Sequence, residues 1–225
     1  MVRLQVALDF ENLDNAIKVA EQVAPYVDIM EAGTPLIKAE GIGAVKSLKK
    51  AYPNKAVCAD LKTADAGYLE VRMAAQASAD IVTVLADAYN ETLIGALKAA
   101  HEFDVEVMVD LIVSRIPMSR LADILGLSYK GTDIHYACVH SGLDRRAARR
   151  APLSELESVS RLRGHPCLAV AGGIRVADLP NILEYPVEIV IAGGGITKAK
   201  NPARAAKAFQ QGIQKFTTIE PKKAT

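Results

Sequence analysis

Five ionisable residues each end an otherwise apolar run: Asp9, Glu31, Asp60, Asp110 and His140. Carboxylates so placed can ligate a hard divalent cation. A histidine, with an unperturbed pKa of about 6.5, can carry a proton near neutral pH. The richest run is Ala59-Asp60-Leu61-Lys62-Thr63-Ala64-Asp65-Ala66-Gly67. In a strand, alternation puts Asp60 and Lys62 on one side. A carboxylate and an ammonium on one face can bind a cation and stabilise a developing oxyanion; the same spacing also suits a structural ion pair. One such carboxylate alone would read equally well as a helix cap. Four carboxylates and a histidine, closing runs of the same kind, point to a common rim.

Two glycine clusters follow later runs, Ala171-Gly172-Gly173-Ile174 and Ala192-Gly193-Gly194-Gly195-Ile196. Glycine lets backbone N–H groups approach an anion closely, so adjacent clusters of this kind suit a phosphate group. Each cluster by itself also fits a tight strand-to-helix turn.

The elements that must position these groups alternate regularly. Short apolar runs begin near Arg3, Val27, Lys55, Asp80, Val105, Asp133, Pro166 and Val187, at intervals of 21 to 33 residues. Between them lie segments with 3.6-residue periodicity, such as Ala16, Val19, Ala20 and Val23, or Ala44, Val45, Leu48 and Lys49. The runs are nearly continuous in apolar and β-branched residues, as expected of parallel strands covered on both faces. Eight such units predict an α/β fold, a single (β/α)8 TIM barrel over residues 1–215, with catalytic groups at the strand C-termini. A doubly wound open sheet is the competitor, but it would carry a glycine-rich turn after its first strand, where this chain has Asp9-Phe10-Glu11. Residues 216–225 lack periodicity and are expected to be a flexible tail.

Composition narrows the function. With 27 Lys+Arg against 26 Asp+Glu, bulk charge supports neither nucleic-acid nor membrane binding. Cys58, Cys138 and Cys167 are scattered, odd in number and without metal-type spacing, which suggests a reducing compartment. No run approaches the roughly 20 apolar residues of a membrane span, and no signal-peptide pattern opens the chain, so the expected location is cytoplasmic.

Glu31-Ala-Gly-Thr-Pro-Leu-Ile-Lys-Ala-Glu-Gly41, Asp60-Leu-Lys-Thr-Ala-Asp-Ala-Gly67 and His140-Ser-Gly-Leu-Asp144 resemble the 3-hexulose-6-phosphate synthase family, within the orotidine-monophosphate decarboxylase suprafamily of (β/α)8 barrels. The resemblance runs from residue 2 to about 215 and includes both glycine turns. The related 3-keto-L-gulonate-6-phosphate decarboxylases are the alternative. They typically carry Glu where this chain has Asp110, Arg where it has Leu143, Thr where it has Ala171 and Arg where it has Gly194. Orotidine-monophosphate decarboxylases place Lys where Glu31 stands. A catalytically silent sugar-phosphate-binding barrel is a more distant alternative, and it should have lost some of these groups.

The resemblance implies a lyase that joins formaldehyde to D-ribulose 5-phosphate, reversibly, through a metal-stabilised 1,2-enediolate. Glu31 and Asp60 would ligate Mg²⁺, with Mn²⁺ a possible substitute, and Asp9 would hold substrate hydroxyls. Lys62 would neutralise the enediolate, and His140 would carry the proton, with Asp110 also in the catalytic set. Gly172, Gly173, Gly193 and Gly194 would offer backbone to the phosphate, which no arginine at 194 assists. Asp65 would reach the other subunit's site, so a homodimer is implied. His101, His135 and the run Arg145, Arg146, Arg149 and Arg150 have no assigned role; a solvated helix face is the simplest reading of the arginines.

Overall fold

Runs such as VEIVIA and IVTVL combine β-branched side chains with burial on both faces, and each of the eight is a strand. They are β1 (Arg3–Leu8), β2 (Ile29–Ala32), β3 (Ala56–Thr63), β4 (Ile81–Leu85), β5 (Glu106–Asp110), β6 (Tyr136–His140), β7 (Cys167–Ala171) and β8 (Val187–Ala192). All pair in parallel and close in the order β1-β8-β7-β6-β5-β4-β3-β2, the (β/α)8 barrel that the sequence predicts. The computed structural model describes residues 1–142, 144 and 151–217. Leu143 and the arginines at 145, 146, 149 and 150 lie outside the described residues.

Between strands run α1 (Leu13–Val23), α2 (Thr34–Glu40), α3 (Gly43–Ala51), α4 (Gly67–Gln76), α5 (Asn90–Phe103), α6 (Pro117–Ile124), α7 (Leu153–Ser160) and α8 (Leu179–Ile182), and after the last strand come α9 (Gly194–Thr197) and α10 (Pro202–Thr217). The α1 stripe buries Ala16, Ala20 and Val23, and Asn12 caps it by accepting the Asn15 N–H at 3.1 Å. In α3 the apolar stripe stops at Leu48, and Lys49 instead bridges Asp80 at 2.8 Å. Helix α10 continues through Thr217, beyond the expected boundary at 215, because Ala206, Phe209 and Ile213 anchor it to the barrel. Residues 218–225 lie outside the described residues.

Alternation divides the core into two layers. Side chains of one parity, including Leu4, Val6, Met30, Val57, Val82 and Val109, pack between sheet and helices. Those of the other parity fill the barrel: Ala7, Ile29, Cys58, Ile81, Met108, Cys138, Ala169, Ala171, Ile189 and Ile191. At the N-terminal end the Tyr136 hydroxyl accepts from Arg3 at 2.7 Å and donates to Glu106 at 2.9 Å, closing the floor. No helix among the described residues is long and apolar enough to cross a membrane.

Candidate active site

The polar site continues the interior files of the barrel. Two residues beyond Ile29 is Glu31; beyond Cys58 is Asp60; beyond Ile81 is Thr83; beyond Met108 is Asp110; beyond Cys138 is His140. Apolar floor thus gives way to a ring of polar groups at the strand C-termini, where a barrel places its chemistry. Together with Asp9, Lys62, Gly172, Gly173, Gly193 and Gly194 they line one cavity of about 1440 Å³. Every site residue expected from the sequence lies there except Asp65. A shallower depression of about 460 Å³ around Asp87, Tyr89 and Arg120 holds none of them.

Strand β3 does not end at Asp60, as the sequence suggested, but runs on to Thr63. Against β4 it steps four residues, Ala59 to Thr63, while β4 steps two, Val82 to Val84. This bulge places Lys62 at φ +48°, the left-handed region that non-glycine residues rarely occupy. Its N–H leaves the ladder and donates to Thr83 Oγ1 at 2.9 Å. The side chain turns back over Asp60, with Nζ 2.5 Å from Asp60 Oδ2 and 3.4 Å from Asp110 Oδ2. Asp110 Oδ2 in turn lies 3.0 Å from His140 Nδ1, and its Oδ1 accepts the Ile112 N–H at 2.9 Å. A chain of Asp60, Lys62, Asp110 and His140 therefore crosses the mouth.

Two further donors fix Asp60: Thr83 Oγ1 donates to Oδ1 at 2.8 Å and Thr34 Oγ1 to Oδ2 at 2.7 Å. Burial alone would raise its pKa, but Lys62 and these hydrogen bonds carry it below the usual aspartate value. Burial likewise opposes charge on Lys62, yet Asp60 and Asp110 outweigh it and raise its pKa above that of a free lysine. Glu31 behaves oppositely. Burial, then Asp60 and Asp9, push its carboxyl well above the usual glutamate range, against smaller opposing effects from Lys62 and a 2.5 Å hydrogen bond from Gln5 Nε2.

At the rim, the Asp9 carboxylate fits between two glycines of neighbouring loops. A Cβ on Gly33 would lie 2.3 Å from Asp9 Oδ1, and one on Gly193 would lie 3.4 Å from Oδ2. Gly172 has φ +99°, and a Cβ there would lie 2.2 Å from Ser141 O, so this turn demands glycine for its own geometry. Asp65 is exposed, accepts the Ala66 N–H at 2.7 Å and stands outside the cavity of its own chain.

The cavity also contains groups that sequence reasoning missed. Thr83, Thr34 and Gln5 hold the two carboxylates. Thr83 and Gln5 are single uncharged polar residues within apolar strands, on the interior parity, and that parity was the available signal. The Gln5 Oε1 is buried and has no hydrogen-bond partner among the described residues.

Ligand-type atoms of Asp110, Cys138 and His140 lie within 4.8 Å of one another, a different grouping from the expected Glu31 and Asp60. Burial pushes the Cys138 thiol well up, and Lys62 and His140 already engage Asp110, so this trio suits a hard cation poorly.

Residues 2–209 match the orotidine 5'-phosphate decarboxylase / HUMPS family. The chain is 41% identical over 212 residues to a 3-hexulose-6-phosphate synthase of Mycobacterium gastri, covering 94% of this chain and all of that protein. A crystal structure of a 3-hexulose-6-phosphate synthase superposes with a TM-score of 0.87 at 40% identity, over 94% of this chain and all of the other. The 3-keto-L-gulonate-6-phosphate decarboxylase of Vibrio cholerae O1 biovar El Tor str. N16961 superposes with a TM-score of 0.78 at 30% identity, over 96% of this chain and 98% of the other.

Proposed function

Because the chain belongs to the orotidine 5'-phosphate decarboxylase / HUMPS family, with 3-hexulose-6-phosphate synthases among its relatives, we propose that it is a carbon–carbon lyase of that kind. Its reaction is the reversible aldol condensation of formaldehyde with D-ribulose 5-phosphate to D-arabino-3-hexulose 6-phosphate. The observation that carries this reading is the row of Asp60, Lys62, Asp110 and His140 across one end of a cavity whose rim includes two glycine turns.

Three buried carboxyl groups, Glu31, Asp60 and Asp110, face one lysine ammonium. Burial first, then the neighbouring Asp60 and Asp9 carboxylates, push the Glu31 carboxyl up, and Gln5 Oε1 adds a buried oxygen without a partner among the described residues. An all-oxygen set with surplus charge fits Mg²⁺, or Mn²⁺ in its place, held by Glu31 and Asp60. When bound, such an ion supplies Lewis acidity toward the substrate's oxygens.

The chain's own groups do the rest. Asp9 at the rim holds sugar hydroxyls. An ionised Asp110 only accepts, so the proton of its bond to His140 resides on Nδ1 and Nε2 is the basic nitrogen. His140 Nε2 removes a proton from C1 of ribulose 5-phosphate, leaving a 1,2-enediolate. The Lys62 ammonium, kept charged by its carboxylates, stabilises the negative oxygen and does not form a Schiff base. The enediolate carbon attacks formaldehyde, and the new alkoxide takes up the proton that His140 holds.

Asp65, exposed and outside its own cavity, completes the site of a second subunit in a homodimer. Leu69 and Met73, 45% and 44% exposed on the helix that follows Asp65, offer apolar surface for that contact. Three free cysteines fit a reducing, cytoplasmic setting.

The test is formaldehyde consumption by purified protein. It should require both ribulose 5-phosphate and Mg²⁺ or Mn²⁺, and chelator should stop it. Turnover that persists in excess chelator would overturn the metal assignment. Faster processing of 3-keto-L-gulonate 6-phosphate would install the decarboxylase reading in its place.

A further inference from the structure

The geometry points to Lys198 as the cation that binds the substrate's phosphate group, an inference that deepens the sugar-phosphate reading above and rests on it. Gly194 belongs to the second glycine turn and opens α9. Nothing in the backbone here requires glycine at that position, because its φ lies outside the left-handed region. The space beside it is not empty either. A Cβ on Gly194 would have as its nearest neighbours Cδ, Cε and Cγ of Lys198, at 3.5, 3.9 and 3.9 Å. The lysine stem therefore lies over the glycine, one helical turn away, where the Lys198 N–H also meets Gly194 O at 3.3 Å. The side chain lines the same cavity as the glycine turns.

The other cations around this cavity are committed or placed elsewhere. Lys62 lies between Asp60 and Asp110. Arg175, on the neighbouring glycine turn, is held by Asp178 at 3.2 Å. Lys38 and Arg115 belong to the segments after β2 and β5, not to either glycine turn. Lys198 makes no ion pair among the described residues, so its ammonium is available to a dianion. Lysine serves here as a flexible point charge, where arginine would act as a planar fork.

The experiment is calorimetric titration of the full chain with inorganic phosphate, alongside steady-state kinetics. Lys198→Ala should weaken phosphate binding roughly ten- to a hundred-fold, the scale of a lost charge-assisted hydrogen bond. The KM for ribulose 5-phosphate should rise by a similar factor while kcat stays within about threefold, as for an interaction shared by ground and transition states. Lys198→Arg should retain most of the affinity, and Lys200→Ala, an exposed neighbour outside the cavity, should retain all of it. The double variant Lys198→Ala/Gly194→Arg should regain most of the lost affinity, since the alanine clears the space that a side chain at 194 would enter. Phosphate affinity unchanged in Lys198→Ala, or absent from the wild type, overturns the assignment. If the titrations behave as expected but the wild type consumes no formaldehyde, the anion site stands and the enzymatic reading fails.

Discussion

Thr83 Oγ1 accepts the Lys62 backbone N–H at 2.9 Å, and the same hydroxyl donates to Asp60 Oδ1 at 2.8 Å. A single side chain on β4 thus closes the β3 bulge and orients the carboxylate beside it. The bulge removes a ladder partner from Lys62, and Thr83 replaces it.

Thr83→Val keeps the shape and removes both bonds, leaving the half-buried Lys62 N–H unpaired and Asp60 one donor short. The expected loss is roughly 1–3 kcal/mol of stability together with a fall in kcat of at least about tenfold. Thr83→Ser keeps the hydroxyl and should stay within about 1 kcal/mol of wild type. Thermal unfolding and kinetics on both variants decide the point. Equal behaviour of Val and Ser would show that the hydroxyl is incidental.

Lys62 occupies a left-handed conformation at φ +48°. Replacing it with Ala or Gly removes the ammonium in both cases, so both should be inactive. They differ in backbone: Ala retains a Cβ where it is costly, whereas Gly does not. Lys62→Gly should therefore be more stable than Lys62→Ala by about 1 kcal/mol, despite the usual preference for Ala in ordinary conformations. Denaturant midpoints at matched pH report this difference. The opposite order would mean that the bulge relaxes once the lysine is gone.

Why the barrel and most of its cluster were legible follows from period-two alternation. Apolar strand interiors made the eight runs visible, and the same parity carried Glu31, Asp60, Asp110 and His140 to one rim. The bulge was not legible, because no local residue between Ala59 and Thr63 announces a left-handed turn. Asp60 and Lys62 share a face as alternation predicts, but through that bulge and a returning side chain. Thr83 and Gln5 were passed over because a single threonine or glutamine in a strand is unremarkable until its neighbours across the barrel are known. Lys198 was hidden for a related reason: its partnership with Gly194 depends on a helical turn of only four residues.

Glu31 gives a pH prediction for the metal-free protein. Its carboxyl is pushed well above the ordinary range, chiefly by burial and by Asp60 and Asp9. The unfolded chain releases this proton near pH 4.3, whereas the folded chain keeps it to higher pH. Between those values the folded state binds more protons, so stability falls as pH rises. Glu31→Gln removes the penalty. In chelator at pH 8 the variant should melt about 2–6 °C above wild type, and the difference should shrink as pH falls toward 4. Adding Mg²⁺ should raise the wild-type melting temperature and leave that of the variant nearly unchanged. Curves that stay parallel at every pH would remove Glu31 from the buried charge cluster.

Asp65 supplies the last prediction. Its carboxylate lies three residues beyond Lys62, is exposed, and stands outside its own cavity. In the proposed two-fold dimer it would reach a site whose lysine comes from the other subunit, so that each site would be composite. Lys62→Ala and Asp65→Ala homodimers should both be inactive. In a mixed dimer, one site takes Lys62 from the Asp65→Ala subunit and Asp65 from the Lys62→Ala subunit, and is intact; the other lacks both. Random exchange of equal amounts makes about half of all dimers mixed, each with one working site of two, so about a quarter of wild-type activity should return. Exchange can be verified independently with differently tagged subunits and native mass spectrometry. Verified mixtures that stay inactive would show that Asp65 serves the site of its own chain.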